Sequence, residues 1–578
     1  MTSKWRAAGA FVAAAAVSVS LAACGGSSSK DTTSTGATAG KAGGTLYYLT
    51  KRSAEHLDPQ RMYIGRDLAN LGRIAYRSLV QFPVATDEAQ ALNPVPDLAT
   101  DLGTSTEGGK VWSFTLKDGV NWQDGKPITC EDLKYGLSRT FATDVIIGGP
   151  TYVLGYLDVP QKDGTAAYNG PYKKVGQADF DKAVTCDGKT ITYRFNKPWA
   201  DFPLAIASLR SFDPYRQDQD KGDASNYSVF SSGPYMLEGK WKASTGGTYV
   251  RNPNYDPKTD GQRKALPDKI VFEEGLTEEI IYQRLIADNG NDKFMVTDRN
   301  IPPSMYGQIT GSVADRSSNP LSPFVDYLLP NFISPRMQNP KVREALMTAT
   351  DRSAWVAANG GDKAGEVAQT LIHPSTVGYV ANPTFSAIPD AGDPEAAKKL
   401  LTEAGVTMPY AITFTYQGGT PKSDNAAAAL KASWDKAGFK VTLDGLTDTY
   451  YDVVQKPGNT KSDVMWAGWG ADWPGVSTVL PPLFDSRINL SEASTANDYG
   501  SYKSDAVNKM FDVALTKPTA AEATTEFVAA DAAMAKDVAY IPLDVIKFYY
   551  LRGSSVTGFF TGPATNAYVD LGLVGANG

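Results

Sequence analysis

The chain has 578 residues, of which 42% are hydrophobic, and its formal net charge at pH 7 is −7. This length exceeds that of one compact domain, so we expect two or three lobes with full globular cores. A mildly acidic chain with charges of both signs argues against nucleic acid as the main partner. With only two His (His56 and His373) and three Cys, little material exists for a metal site, and we predict neither a metal nor another cofactor.

The N-terminus has the pattern of a secretory signal. Lys4 and Arg6 precede an apolar run at 7–21, which is too short to span a bilayer stably. The segment LAAC, which ends at Cys24, resembles a bacterial lipobox. That resemblance implies removal of residues 1–23 and acylation of Cys24, which would anchor the protein to the outer face of the cell membrane. The alternative is an ordinary signal peptide with a chance Cys.

Residues 24–42 are mostly Gly, Ser, Thr and Ala, a composition typical of a flexible tether. Beyond the tether, no run approaches the roughly 18 uninterrupted apolar residues of a membrane-spanning helix. An anchor, a tether and a large body together predict a protein that works just outside the membrane.

The pattern of the body predicts an α/β fold. In its first half, short β-forming runs between turn signals predict strands, and apolar periodicity predicts a helix from Arg66 to Val80. In the second half, Asn339-Pro340 and Asp393-Pro394 each begin a predicted helix, since the first residue can cap and Pro fits the first turn. Strands are predicted at 45–49, 111–116, 190–195, 271–272, 411–416, 439–443, 464–468, 540–543 and 548–551, and a further helix at 426–437.

Nine segments in collinear order carry a family resemblance across nearly the whole body. They are AYRSLVQF (75–82), PDLATDL (96–102), WSFTLKDGVNWQDGKPITCEDLKYGLSR (112–139), SSGPYMLEGKW (231–241), RNPNYDP (251–257), NPKVREALMTATDR (339–352), DPEAAKKLLTEAG (393–405), AGWGADW (467–473) and YIPL (540–543). These segments resemble the bacterial extracellular solute-binding proteins of family 5, which serve peptide and nickel ABC importers. Within that family the chain is most similar in type to the oligopeptide-binding proteins.

The resemblance implies a two-lobed clamp of the periplasmic-binding-protein type II (Venus-flytrap) class, with the ligand cleft between its lobes. The first lobe would hold residues 43–325, with an extra strand-rich subdomain at about 80–210. The second would hold residues 326–535, and residues 536–578 would return to the first. The chain would cross between lobes near 323–332 and near 540–548, and closure there would bury the ligand.

In oligopeptide-binding relatives, the Asp at the place of Asp472 holds the peptide α-ammonium and the Trp at the place of Trp469 lines a side-chain pocket. A buried ammonium needs such a counter-charge, and an aromatic wall accepts many side chains. The alternative is that Asp472 caps a local turn and Trp469 is core. Some relatives carry an acidic residue where this chain has Tyr63, so Tyr63 is a ligand candidate, although a surface or core Tyr is as consistent with the pattern. Arg487 fits a solvated Arg better than a ligand contact.

The most recognisable motif, around Trp122, Asp124 and Gly125, is interpreted as a structural turn after a strand. Cys130 and Cys186 are the only cysteines of the body, and an oxidising compartment favours a disulfide between them. Two buried thiols are the alternative.

We therefore predict a non-enzymatic, monomeric binding protein that captures oligopeptides and delivers them to an ABC permease and its ATPase. One alternative keeps the clamp and changes the ligand to a nickel chelate, a sugar, an opine or a signalling peptide. Another is a lipid-anchored hydrolase, which lacks any nucleophile motif in this sequence: Ser423-Asp424-Asn425 matches one β-lactamase triplet, but the chain has no Lys-Thr-Gly.

Overall fold

The computed structural model describes residues 40–162 and 165–577. The predicted signal peptide, the predicted acylation site Cys24 and most of the predicted tether lie outside these residues. The described body forms one compact unit. Within it, no helix is both long enough and apolar enough to cross a membrane.

A mixed five-stranded sheet organises the first part of the body. The predicted strand Thr45–Leu49 is confirmed and runs parallel to both of its neighbours. Its side chains alternate between faces, so Leu46 and Tyr48 join the main core while Leu49 packs into a smaller cluster. The strands, in spatial order, are Tyr235–Lys242, Gly246–Arg251, Lys269–Glu273, Thr45–Leu49 and Met295–Thr297.

An antiparallel four-stranded sheet is inserted within the predicted subdomain range of 80–210. Trp112 and Phe114 alternate inward from one of its strands into the main core. The sulfur atoms of Cys130 and Cys186 are bonded, with their Cα atoms 5.8 Å apart, which ties a helix to this sheet. Its strands, in spatial order, are Thr104–Thr106, Val111–Thr115, Thr190–Arg194 and Val184–Asp187.

A six-stranded sheet organises residues 321–547. The strand Val464–Gly470 lies in its middle, antiparallel to Leu321–Pro330 and parallel to Tyr410–Gln417. Helices pack on this sheet around a second core, separate from the first. The strands, in spatial order, are Gly365–Val367, Ile541–Lys547, Leu321–Pro330, Val464–Gly470, Tyr410–Gln417 and Phe439–Leu446.

Two adjacent chain crossings join these parts. Ser317–Ser318 pairs antiparallel with Tyr550–Leu551, and the amide of Asn319 donates to the carbonyl of Phe548 at 2.7 Å. The sequence placed these crossings near 323–332 and near 540–548. In the structure they lie a few residues outside those ranges, because Leu321–Pro330 and Ile541–Lys547 already belong to the six-stranded sheet. We call residues 321–547 the second lobe. The first lobe is the remainder, including the C-terminal residues that complete its core.

The two predicted capped helices are confirmed. Asn339 accepts from the backbone N–H of Lys341, and Asp393 accepts from that of Ala396. The helices of eight residues or more are Cys130–Thr140, Glu278–Ala287, Pro340–Ala349, Arg352–Asn359, Pro394–Glu403, Pro421–Lys436, Asp505–Leu515 and Ala520–Asp537. Shorter helices span Glu88–Ala91, Tyr152–Tyr156, Gly170–Lys173, Gln177–Ala183, Phe202–Ser208, Pro383–Ser386, Tyr450–Val454, Leu480–Phe484 and Ser486–Asn489.

The predicted helix from Arg66 to Val80 is wrong in its last five residues. Helical backbone, partly of π type, runs from Gly65 to Ala75, and Tyr76 is extended. Tertiary contacts explain the early end. The N–H of Arg77 donates to the Ser232 hydroxyl at 3.0 Å, and the Arg77 guanidinium donates to the buried Asp97 carboxylate at 2.7 Å.

Candidate ligand-binding site

The candidate site lies at one edge of the six-stranded sheet. The strands Tyr410–Gln417, Phe439–Leu446 and Val464–Gly470 run parallel, so their carboxyl ends meet at the same edge. Asp472 follows the last of these strands by two residues. Ligands of open α/β sheets bind at this kind of edge, and here the first lobe contacts it.

Thr478 fixes the loop that carries Asp472. Its hydroxyl accepts the backbone N–H of Asp472 at 3.2 Å, and its carbonyl accepts the indole N–H of Trp469 at 2.9 Å. Because the Trp469 N–H is already satisfied, this half-buried side chain offers a ligand only ring surface. Trp469 also packs against the second-lobe core.

The carboxylate of Asp472 meets two tyrosines of the first lobe. Tyr63 donates to its Oδ2 at 2.8 Å, and Tyr152 donates to the same oxygen. The Thr478 hydroxyl adds a longer contact of 3.4 Å, again to Oδ2. All three hydroxyls therefore donate to the same oxygen, Oδ2. Among the described residues, no donor is directed at Oδ1, and no Lys, Arg or His nitrogen lies within ion-pair distance of this carboxylate.

Burial raises the pKa of Asp472, and hydrogen bonds from Tyr152, Tyr63 and Thr478 partly oppose this effect. Burial and the charge of Asp472 likewise raise the pKa values of Tyr63 and Tyr152, so both phenols stay protonated and act as donors. The site is a carboxylate held by neutral hydroxyls at a lobe interface. When ionised, this carboxylate has no cationic side chain beside it among the described residues.

Asp531 provides a useful contrast inside the second-lobe core. Its Oδ2 accepts from Thr370 at 3.0 Å and from Asn382 at 2.8 Å, while Tyr540 donates to Oδ1. Both oxygens of this buried carboxylate are thus occupied by neutral donors of its own lobe. Asp472, by comparison, has donors at only one of its two oxygens among the described residues.

The sequence missed several groups at this edge. Tyr152 is 320 residues from Asp472, and no motif marked it. Asp326 and Asp544 face each other on neighbouring strands. Burial raises the pKa of Asp544 to about 7, and burial together with the charge of Asp544 raises that of Asp326. An open cavity of about 520 Å³ lies at the same edge, lined by Gln417, Gly418, Gly419, Thr447, Asp448 and Tyr451.

Other residues considered from sequence lie away from this edge. Arg487 pairs with Asp485 and Asp512 on the surface. The indole of Trp122 donates to Asp132 at 3.1 Å inside the first lobe, and Asp124 closes a turn by accepting the N–H of Lys126 at 3.1 Å. These contacts agree with the solvated and structural interpretations, respectively.

The model of the family described as bacterial extracellular solute-binding proteins, family 5, matches residues 93–491. The chain belongs to this family. It is 25% identical over 540 residues to the periplasmic oligopeptide-binding protein OppA of Salmonella typhimurium (strain LT2), covering 91% of each chain. It is 24% identical over 457 residues to the dipeptide-binding protein of Escherichia coli (strain K12), covering 74% of this chain and 76% of that protein.

The fold comparison supports the same class. The structure of clavulanic acid biosynthesis oligopeptide binding protein 2 superimposes with a TM-score of 0.83 at 28% identity, covering 93% of this chain and 96% of that one. The predicted two-lobed type II binding-protein fold is therefore confirmed. These relatives are named as binding proteins, and the family resemblance drawn from the nine sequence segments is correct.

Proposed function

We propose that this protein is the lipid-anchored, extracellular substrate-binding component of an ABC importer and that it captures oligopeptides between its lobes. Asp472 carries the proposal. Its carboxylate lies where the lobes meet, three neutral hydroxyls hold one oxygen, and Oδ1 faces no donor among the described residues. A peptide α-ammonium at Oδ1 would supply the missing counter-charge.

The free-energy cost of burying the Asp472 carboxylate favours a ligand with a cationic end. A partly buried carboxylate without a counter-ion is unfavourable, and pairing it with a hydrogen-bonded cation removes most of that penalty. Trp469 would add sequence-tolerant aromatic area beside the peptide, and an extended peptide would gain main-chain hydrogen bonds. The cavity that Tyr451 helps to line is at the same sheet edge and offers room for the rest of the peptide. The names of the relatives support a peptide ligand.

Calorimetric titration tests this function. We expect free-amine tri- to hexapeptides of mixed sequence to bind and their N-acetylated forms to bind at least about 100-fold more weakly, because acetylation removes the cation. The same titration is run with a neutral disaccharide and with a nickel chelate. Equal affinity for free and acetylated peptides would contradict the assignment. Binding of the sugar or the chelate, with no peptide bound, would assign the clamp to another ligand class.

The proposed anchor has its own test. Replacing Cys24 with Ala removes the thiol that acyl chains would modify, so the variant should leave the membrane fraction or accumulate as the uncleaved precursor. Mass spectrometry of the N-terminus of the wild-type protein is the direct measurement. An intact Met1 on mature wild-type protein would contradict a lipid anchor.

A further inference from the structure

One side chain of the second lobe is buried in the core of the first. Trp473 comes directly after Asp472 and is only 2% exposed, yet its neighbours belong to the first-lobe core. The Trp473 ring lies edge-on to the Tyr152 ring, with the two centroids 4.7 Å apart. The centroid of the Trp199 ring is 6.2 Å from that of Trp473. Opening the cleft must withdraw this indole from an aromatic pocket, which exposes apolar surface on both sides.

The same pocket holds a carboxylate directed across the interface. Asp201 immediately precedes the helix Phe202–Ser208 but makes no side-chain capping bond to it. Its Oδ2 accepts instead from the indole N–H of Trp473 at 2.6 Å and from the hydroxyl of Ser477, both in the second lobe. Asp201 is only 8% exposed. When the lobes separate, this buried oxygen loses both donors, so the hydrogen bonds favour the closed form.

Gly475 shows how closely the two lobes approach here. A Cβ atom at this position would lie 2.6 Å from Asp201 Oδ2 and 2.9 Å from the Trp473 ring. Its φ of −135° suits any residue. The main obstacle to a side chain at Gly475 is therefore the closed interface and not the backbone conformation.

We propose that Trp473 and Asp201 form an interlobe latch that holds the cleft closed and positions Asp472 for the ligand. Tyr152 links the latch to the site, since its ring contacts Trp473 while its hydroxyl donates to Asp472. The positioning half of this inference rests on the proposed function, whereas the closing half does not. Affinity falls as the fraction of closed protein falls, because only the closed form presents the complete site.

The test measures closure and affinity separately in the full-length protein. Dyes attached to cysteines introduced at the exposed Lys182 and Lys398, one in each lobe, report the interlobe distance by energy transfer without ligand. We expect Trp473→Ala, Asp201→Ala and Gly475→Ala to shift the population toward the open form. Free-amine peptides should bind these variants about tenfold or more weakly. Ser477→Ala removes one donor only, so it should shift the population least.

Trp122→Phe is the matched control. It also removes an indole N–H donated to an Asp carboxylate, but within one lobe, so its interlobe distance should equal that of the wild type. The ratio of free-amine to acetylated affinity should fall in the latch variants, because a displaced Asp472 pairs less well with the ammonium, and an unchanged ratio would overturn the positioning half. A wild-type distance distribution in folded Asp201→Ala and Gly475→Ala would overturn the latch. A wild type that binds no peptide would refute the proposed function, while the distance measurement would still decide the latch.

Discussion

Asp472→Asn should weaken the binding of free-amine peptides by a factor of about 100 to several thousand. The substitution keeps the shape of the side chain and its acceptor for Tyr63 and Tyr152, but it removes the charge. A peptide ammonium would then be buried without a counter-charge, and breaking such a pair costs about 3–5 kcal/mol. Calorimetric titration of wild type and variant with the same peptides measures the loss. The variant should fold, because the site lies between lobes and not in either core.

Acetylation of the peptide provides the second arm of a double-mutant-style cycle. In the wild type, acetylation should weaken binding strongly. In Asp472→Asn it should matter far less, so the two changes should not be additive. Asp531→Asn is the matched control, since it neutralises another buried carboxylate held by hydroxyl and amide donors. It should lower stability and leave the acetylation effect intact. Additive effects in the Asp472 cycle would remove Asp472 from ammonium binding.

The pH dependence of binding has a defined sign. Burial raises the pKa of the Asp472 carboxyl in the unliganded protein, and the ammonium binds the ionised form. Affinity for free-amine peptides should therefore fall as pH is lowered through this pKa, and it should be greatest between this pKa and that of the peptide α-ammonium, about 8. Asp472→Asn should bind with little pH dependence over the same range. A wild-type profile equally flat would show that the carboxylate does not pair with the ligand.

The sequence predicted the fold well because its signals are local. The caps at Asn339 and Asp393 and the alternation of Thr45–Leu49 act within a few residues, and the structure has the corresponding elements. The prediction of a helix from Arg66 to Val80 was wrong at its end, because Arg77 contacts Ser232 and Asp97, which are remote from it in sequence. A periodic apolar pattern does not reveal where such contacts end a helix.

The candidate site could be predicted only in part for the same reason. The segment AGWGADW pointed to Asp472 and Trp469. Tyr63 was a candidate because it stands where some relatives carry an acidic residue. Tyr152 and Asp201 act across the interface, at separations of 320 and 272 residues from their partners. The sequence carries no signal for either contact, because each joins residues that are remote in the chain. Only the packing of one lobe on the other shows that both side chains act between lobes.

The second large effect is expected from the disulfide. It joins Cys130, at the start of a helix, to Cys186 on the inserted sheet, at a sequence separation of 56. Closing a loop of that length restricts the unfolded chain, which is worth about 3–4 kcal/mol in the chain-entropy view. Replacing both cysteines with Ala should lower the free energy of unfolding of the inserted sheet by about that amount.

Hydrogen exchange can locate this loss. Amides of Thr190–Arg194 should exchange faster in the Cys130→Ala/Cys186→Ala variant, while those of Val464–Gly470 in the second lobe serve as an internal control and should not change. The loop closed by the disulfide also carries Tyr152, which contacts both Asp472 and Trp473. A looser loop should therefore weaken peptide binding as well, by less than Asp472→Asn does, because Tyr63 still donates to Asp472. Unchanged exchange across the inserted sheet would show that its packing alone, without the covalent bond, sets the stability of this part of the first lobe.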